Sequence, residues 1–323
     1  MVDLRCLKTA LFFVFALLIC CVAPTYAQNR YEYSEVAMGV RARIVLYATD
    51  KDSAQTAVRA AYDRIAELED IMSDYRPDSE LMRLCKKAGD GPVEVSGDLY
   101  FMLCKCEELS RRSDGAFDCT AGPVIKLWRS ARKSGKLPND FDLEAARKLV
   151  GWRKLKLLTP CGEQAGTVKL TVPGMQLDLG GIAKGYACDE AIRILKEHGI
   201  SSALVEMGGD IVVSAPPPGK KGWGIQITNS SAPRTITLSH AAISSSGDTN
   251  QFVEIGGKRY SHIVDPRTGI GLTNRMAVTI IAPNGVTSDG LSTAISVLGP
   301  IRGKTLANAW PGVSICVLEG VGG

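Results

Sequence analysis

The chain has 323 residues, of which 45% are hydrophobic and 22% charged, and its formal net charge is +4. That length suits one large domain or two small ones. No basic block and no interleaving of arginine with aromatic residues occurs, which argues against nucleic acid as a partner, while the weak positive balance leaves an anionic small molecule acceptable.

The first predicted element lies outside the fold. Arg5 and Lys8 form a basic start, Leu11 to Val22 is an apolar run, and Thr25-Tyr26-Ala27 is a small-residue cleavage site. The run falls short of the about 20 apolar residues that a membrane span needs. Residues 1–27 therefore read as a secretory signal cut near Ala27, and the mature chain as exported. Lipid attachment at Cys20 or Cys21 is the alternative, which the bulky Ile19 disfavours. Of ten cysteines, Cys6, Cys20 and Cys21 belong to the leader, leaving seven (Cys85, Cys104, Cys106, Cys119, Cys161, Cys188 and Cys316). An odd number leaves at least one thiol free or paired outside the chain. Cys104 and Cys106 are two apart on a predicted helix and point in different directions, which argues against a mutual disulfide or a shared zinc. No Cys-x-x-Cys occurs and His198, His240 and His262 are scattered, so a structural zinc site is not expected.

Beyond the leader, a strand is predicted at Ala42–Tyr47, followed by an amphipathic helix over Ser53–Ser73. Its apolar stripe is Ala54, Ala57, Val58, Ala61, Ile65, Leu68 and Met72. A second helix follows Ser96, with Leu99, Met102, Leu103, Cys106 and Leu109 inward, and a third covers about Leu143–Val150. Strands are predicted at Val168–Val172 and Met175–Leu179, then a helix from Lys184 to His198 with Gly199 as its stop. Further strands fall at Ala203–Val205, Ile211–Ser214, Gly224–Thr228 and Thr235–Leu238, with Pro216 to Lys221 as a hairpin loop. A hairpin over 251–264 turns at Gly256-Gly257. A strand at Ala277–Ala282, a final helix from Thr287 or Ser288 to Leu298, and a strand at Val313–Leu318 complete the chain. Strands in adjacent pairs favour an α+β fold with mixed or antiparallel sheets flanked by helices.

Several segments carry residue types suited to chemistry. Asp178-Leu-Gly180-Gly181-Ile-Ala-Lys184-Gly185 ends an apolar run and opens a helix, where free N–H groups and the Lys184 cation would suit a phosphate. Tight packing explains the same glycines equally well. Glu206-Met-Gly208-Gly209-Asp210 and Ser244-Ser-Ser-Gly247-Asp248 read as two further glycine-rich turns. Asp289 and Thr293 lie four apart and share a helix face, offering hard oxygen ligands of the kind Mg2+ accepts, unless Asp289 simply caps the helix. Tyr75 and Phe117 leave helices through turns and would either meet a planar ligand or pack under loops. Tyr260-Ser-His-Ile-Val-Asp-Pro-Arg-Thr-Gly269 crowds His262, Asp265 and Arg267 around a rigid turn, with Tyr260, His262 and Val264 on one face of a strand.

Taken in order, Met38-Gly39, Met72 to Leu81, Ser113 to Asp118, Leu177 to Tyr186, Gly208 to Asp210, Ser246 to Asp248, Tyr260 to Gly269 and Ser288 to Thr293 resemble the ApbE family of FAD:protein FMN transferases. The resemblance covers about residues 32–318, a single domain. It implies that FMN passes from FAD to a threonine or serine hydroxyl of a target protein, with AMP leaving and Mg2+ required. Implied metal ligands are the Gly181 carbonyl, Asp289 and Thr293. Implied FAD contacts are Met38, Tyr75, Ala116, Phe117, Asp118, Asp178, Lys184 and Ile263. His262 is the candidate base toward the acceptor hydroxyl, since imidazole titrates near neutral pH. Implied partners are periplasmic, membrane-associated redox proteins, such as subunits of sodium-pumping or RNF-type electron-transfer complexes. Two departures stand out: Cys85 replaces the family's usual asparagine, and Cys119 replaces a proline beside the 116–118 turn. They motivate a rival expectation, an FAD pyrophosphatase in which water is the acceptor. A non-catalytic FAD-storage protein is the third.

Overall fold

The computed structural model describes residues 27–162, 165–227, 234–247 and 252–319. The expected leader up to Tyr26, the predicted strand end at Thr228, Asp248 and the hairpin start at Gln251 lie outside the described residues. Its centre is a seven-stranded sheet in the order β1 (Asn29–Ala37), β2 (Val40–Ala48), β6 (Ala203–Met207), β7 (Asp210–Val213), β10 (Ala241–Gly247), β15 (Met276–Ala282) and β16 (Ser314–Glu319). Every neighbouring pair is antiparallel. The strands alternate, and both faces are covered. Ile44, Leu46, Ala203, Val205, Val212 and Ala242 enter the main core, whereas Val45, Leu204, Val213 and Ile243 pack on the opposite side with Trp223 and Ile225. A period of two explains this split.

On the main-core face lie α1 (Lys51–Met72), α3 (Gly97–Arg112), α6 (Ala183–Glu197) and α7 (Gly285–Leu298). The opposite face is covered by a ribbon of β8 (Trp223–Ile227) and β9 (Arg234–Leu238). The predicted stripe of α1 is buried as expected, from Ala54 to Met72, and Asp50 caps it by accepting from the Ser53 amide at 2.8 Å. Two short elements, α2 (Glu80–Lys86) and a small sheet of β3 (Val93–Val95), β5 (Gly166–Leu170) and β4 (Leu155–Leu157), extend the same core. A satellite cluster joins α4 (Gly122–Ser134) and α5 (Asp140–Leu149) to the hairpin β11 (Phe252–Ile255) and β12 (Lys258–Ser261) around Trp128, Tyr260 and Val264. The last helix is α8 (Pro300–Asn308). The fold is α+β, with antiparallel sheets throughout the described residues.

Four expectations need correction. Met175–Leu179 is a connecting segment, because the Asp178 amide donates to the Cys119 carbonyl at 2.8 Å rather than to a ladder. Pro216–Lys221 joins β7 to β8, which belong to different sheets, so it is not a hairpin loop. Ser244 to Gly247 is strand β10, not a turn. The predicted strand over Lys258–Val264 breaks at His262, where the Ser261 hydroxyl accepts the Ile263 amide at 3.1 Å. The chain resumes as β13 (Val264–Asp265), paired with β14 (Ile270–Gly271).

Cys104 and Cys161 form a disulfide across 57 residues of chain, while Cys85, Cys106, Cys119, Cys188 and Cys316 are free. Chain-entropy arithmetic for such a loop gives about 4 kcal/mol. Cys161→Ser should therefore lower the midpoint of urea unfolding. A melt insensitive to both this change and thiol reductant would show that the bridge does not stabilise the fold.

Candidate functional site

The site assembles where α6 and α7 begin. A Cβ at Gly185 would lie 2.1 Å from the Gly285 carbonyl oxygen, so the two helices cross backbone to backbone. This close crossing carries the Asp289 carboxylate to the Gly185 amide, from which it accepts at 3.1 Å. Lys184 reaches the same point. Its ammonium lies 3.1 Å from Asp210 and 3.4 Å from Asp289, and donates to the Gly180 carbonyl at 3.2 Å. Burial alone would depress the Lys184 ammonium, but Asp210 and Asp289 together hold it above its ordinary value. Burial also pushes Asp289 up to about 7, reinforced by Asp210 and opposed by Lys184.

One turn further along α7, the Thr293 hydroxyl donates to the Gly181 carbonyl at 3.3 Å. Thr293 thus meets Gly181, and Asp289 lies one turn before it on the same face of α7. The Gly181 carbonyl, the Asp289 carboxylate and the Thr293 hydroxyl are hard oxygen donors, and a Cβ on Gly181 would come within 3.0 Å of Thr293 Oγ1. That donor set fits Mg2+. Capping does not account for Asp289, since Asn284 caps α7 by accepting from the Thr287 amide at 3.0 Å. Most of the expected cradle of free amides is already engaged within the chain. Gly180 donates to Asp178 at 2.8 Å, Ile182 and Ala183 donate to Leu179, and Gly185 donates to Asp289. Attraction for a phosphate therefore falls mainly to the Lys184 ammonium.

Asp178 is buried and its Oδ2 accepts from Arg129 at 2.6 Å. Burial and the neighbouring Asp74 push the Asp178 carboxyl up, and the Arg129 guanidinium opposes them. The same guanidinium pairs with Asp74 and lies 4.2 Å from the Tyr75 ring centroid. Tyr75 is displayed, at 74% exposure, whereas Phe117 is 4% exposed in the main core, so its ring packs rather than facing a ligand. Asp118 is buried and accepts from the Thr120 amide and hydroxyl and from the Trp152 amide, which ties down the 116–118 turn. Burial raises its pKa against these bonds. Ala116 and Ile263 pack together with Val297. Met38 occupies the β1–β2 turn, where its amide donates to Glu69 at 2.9 Å. Ala42 pairs with Met207, placing this turn at the same end of the sheet as Gly208-Gly209 and Asp210.

His262 is half-buried at the break between β12 and β13. The turn after it is braced: Arg267 grips the Asp265 carboxylate at 2.8 and 2.9 Å, and Trp128 Nε1 donates to the Gly269 carbonyl at 2.8 Å. A cleft of about 520 Å³ runs between this turn, α5 and Gly115, with Trp152 in its lining.

Two sets of contacts escaped the sequence. Asp189 accepts from the Gly285 and Val286 amides at 2.7 and 2.9 Å, anchoring the start of α7. Asp189→Ala would strand both buried donors and should cost about 1–3 kcal/mol of stability, measurable by thermal melting. Ser244 and Ser246 bond to Ser288 and Ser292 at 2.7 and 2.6 Å, docking α7 on β10 rather than facing a ligand. No spacing rule exposes either contact.

The model of the ApbE family matches residues 38–317. The chain belongs to the ApbE family. Its relatives include the FAD:protein FMN transferase of Treponema pallidum, 31% identical over 88% of this chain and 83% of that protein. Another is the FAD:protein FMN transferase of Vibrio cholerae, 33% identical over 80% of this chain and 78% of that protein. The crystal structure of the Pseudomonas stutzeri flavinyl transferase ApbE superposes with a TM-score of 0.79 at 29% identity, covering 91% of this chain and 92% of that one. This ApbE-family member is thus an enzyme. Both departures from the family pattern prove internal. Cys85 is buried and accepts from the Leu177 amide at 3.2 Å, and Cys119 is 1% exposed with its carbonyl holding Asp178. Both contacts hold the backbone at Leu177 and Asp178, beside an expected FAD contact.

Proposed function

We propose that this enzyme transfers FMN from FAD to a threonine or serine hydroxyl of an exported redox protein, releasing AMP. The observation that carries the reading is the convergence of the Gly181 carbonyl, Asp289 and Thr293 beside Lys184. Mg2+ held by those three oxygens would supply Lewis-acid stabilisation of charge on the pyrophosphate. Lys184, kept charged by two carboxylates, adds a fixed cation for the same phosphates. The acceptor hydroxyl gives its proton to His262 and forms a bond to the flavin-side phosphorus. The bond from that phosphorus to the bridging oxygen breaks, and AMP carries the electron pair away. A braced turn after His262 suits a base that must stay in register, because misplacement by an ångström costs rate heavily.

Two observations support export to the periplasm: the leader-like start and the Cys104–Cys161 disulfide, a bond that persists in oxidising compartments. Membrane-associated electron-transfer subunits are then the accessible acceptors; in the alternative where the leader is lipidated instead of cut near Ala27, an anchor at Cys20 or Cys21 would hold the enzyme beside them. Mature protein mixed with FAD, Mg2+ and a bait domain bearing the acceptor hydroxyl should give a fluorescent bait band and AMP, both lost with EDTA. Free FMN and AMP over a dark bait would instead establish hydrolysis. His262→Ala should lower kcat about 10²- to 10⁴-fold while leaving FAD affinity within a few-fold. Unchanged turnover in that variant would remove His262 from the chemistry.

A further inference from the structure

Arg129 comes from α4, which contributes none of the expected site residues, yet it touches three groups at once. One nitrogen donates to Asp178 Oδ2 at 2.6 Å and another pairs with Asp74, while the guanidinium carbon lies 4.2 Å from the Tyr75 ring centroid. The carboxylates it joins are poorly solvated, with side-chain exposures of 5% for Asp178 and 16% for Asp74. Without a cation between them they would repel each other in a medium that screens badly. Tyr75, by contrast, stands 74% exposed on the turn after α1. A ring so exposed has little packing of its own to fix it, so the cation over one face sets its orientation and leaves the other for a planar partner.

We infer that Arg129 is a positioning residue of the FAD site, clamping the Asp178 carboxylate and backing the Tyr75 ring so that both meet FAD in one prearranged geometry. The inference rests on the flavin-transferase reading, in which Asp178 and Tyr75 contact FAD. Its physical basis is preorganisation: a platform already ordered in the free enzyme binds its ligand without first losing side-chain freedom. Only a planar guanidinium can do all of this. Lysine offers one point charge, enough to satisfy one carboxylate, and cannot span two while stacking on a ring.

The test compares wild type with Arg129→Lys, Arg129→Met and Asp74→Asn. Flavin fluorescence gives the Kd for FAD without acceptor, steady-state transfer gives KM and kcat, and thermal melting reports the fold. Arg129→Lys should raise both the Kd and the KM for FAD about tenfold, with kcat and the KM for the acceptor protein within about twofold. Asp74→Asn removes one anchor and should give a smaller rise, about threefold. A merely structural role would lower the melting temperature and the active fraction but leave the KM of the surviving enzyme unchanged. Should Arg129→Met fail to fold, the other two variants decide. Wild-type FAD affinity in folded Arg129→Lys overturns the inference while the transfer reading stands. Wild-type protein that neither binds FAD nor transfers FMN overturns both.

Discussion

Replacing Asp289 with alanine or asparagine should reduce FMN transfer by at least about 10³-fold, since it removes the one carboxylate among the three proposed Mg2+ ligands. Alanine also leaves the Gly185 amide without its acceptor and deprives Lys184 of one of two anionic partners. Asp210 remains 3.1 Å from the Lys184 ammonium, so the buried cation is not stranded and the fold should survive. Asparagine keeps the acceptor and the volume while deleting the charge, and is the cleaner of the two. Circular dichroism would check the fold, and bait fluorescence with AMP release would read the activity. Near-normal transfer by Asp289→Asn, with its Mg2+ dependence intact, would refute the metal assignment.

Acid should act on the same carboxylate. In the metal-free protein burial holds Asp289 at about 7, well above the ordinary carboxylate range. A raised acid pKa means that the folded chain takes up a proton, so this group's contribution to stability is fully present below about pH 4 and fades as pH rises through 7. A divalent cation competes with that proton. Apparent Mg2+ affinity should therefore fall about tenfold per pH unit below 7 and level off above it. Calorimetric titration with Mg2+ between pH 5.5 and 8 would show this, and a flat profile would place the metal elsewhere.

What could be read from the sequence divides along physical lines. Elements with a strong period were legible: the α1 stripe from Ala54 to Met72 and the alternation of β2 are local patterns that tertiary contacts merely use. Helix α4 was not, because it begins at Gly122-Pro123 without a side-chain cap and follows the 116–118 turn directly, though proline near its start and the left-handed Gly135 at its end mark it in retrospect. The proposed metal-ligand set could be named in advance, since Asp289 and Thr293 share a helix face and the family motif supplied Gly181. Arg129, Asp189 and the Ser244–Ser288 pair were not, because each acts across sequence separations that only the folded chain closes. The break at His262 was hidden for a different reason: alternation continues through Tyr260 and Val264, both buried, while one serine hydroxyl diverts the ladder between them.

Gly185→Ala should cost about 3 kcal/mol or more and take transfer activity with it. Alanine is favoured over glycine by about 1 kcal/mol in a helix interior and by less in the first turn of α6, where Gly185 sits, so propensity alone predicts at most a modest stabilisation. Sterics oppose it more strongly. The new Cβ would sit 2.1 Å from the Gly285 carbonyl oxygen and 2.8 Å from Asp289 Cβ, and a Cβ on Gly285 would in turn sit 2.3 Å from the Gly185 carbonyl oxygen. The first of these obstacles is backbone, so relief requires α6 and α7 to separate rather than a side chain to rotate, and overpacking of this kind outweighs the propensity gain. Separation would also draw Asp289 away from the Gly185 amide and Lys184, loosening the proposed metal site before the fold is lost. Gly91→Ala provides the control, since a Cβ there meets nothing within 4 Å and its stability should stay within about 0.5 kcal/mol of wild type. Urea titration of both variants, with FMN transfer assayed in parallel, gives the comparison. If Gly185→Ala melts and transfers like wild type, the backbone crossing of α6 and α7 is not what assembles the site.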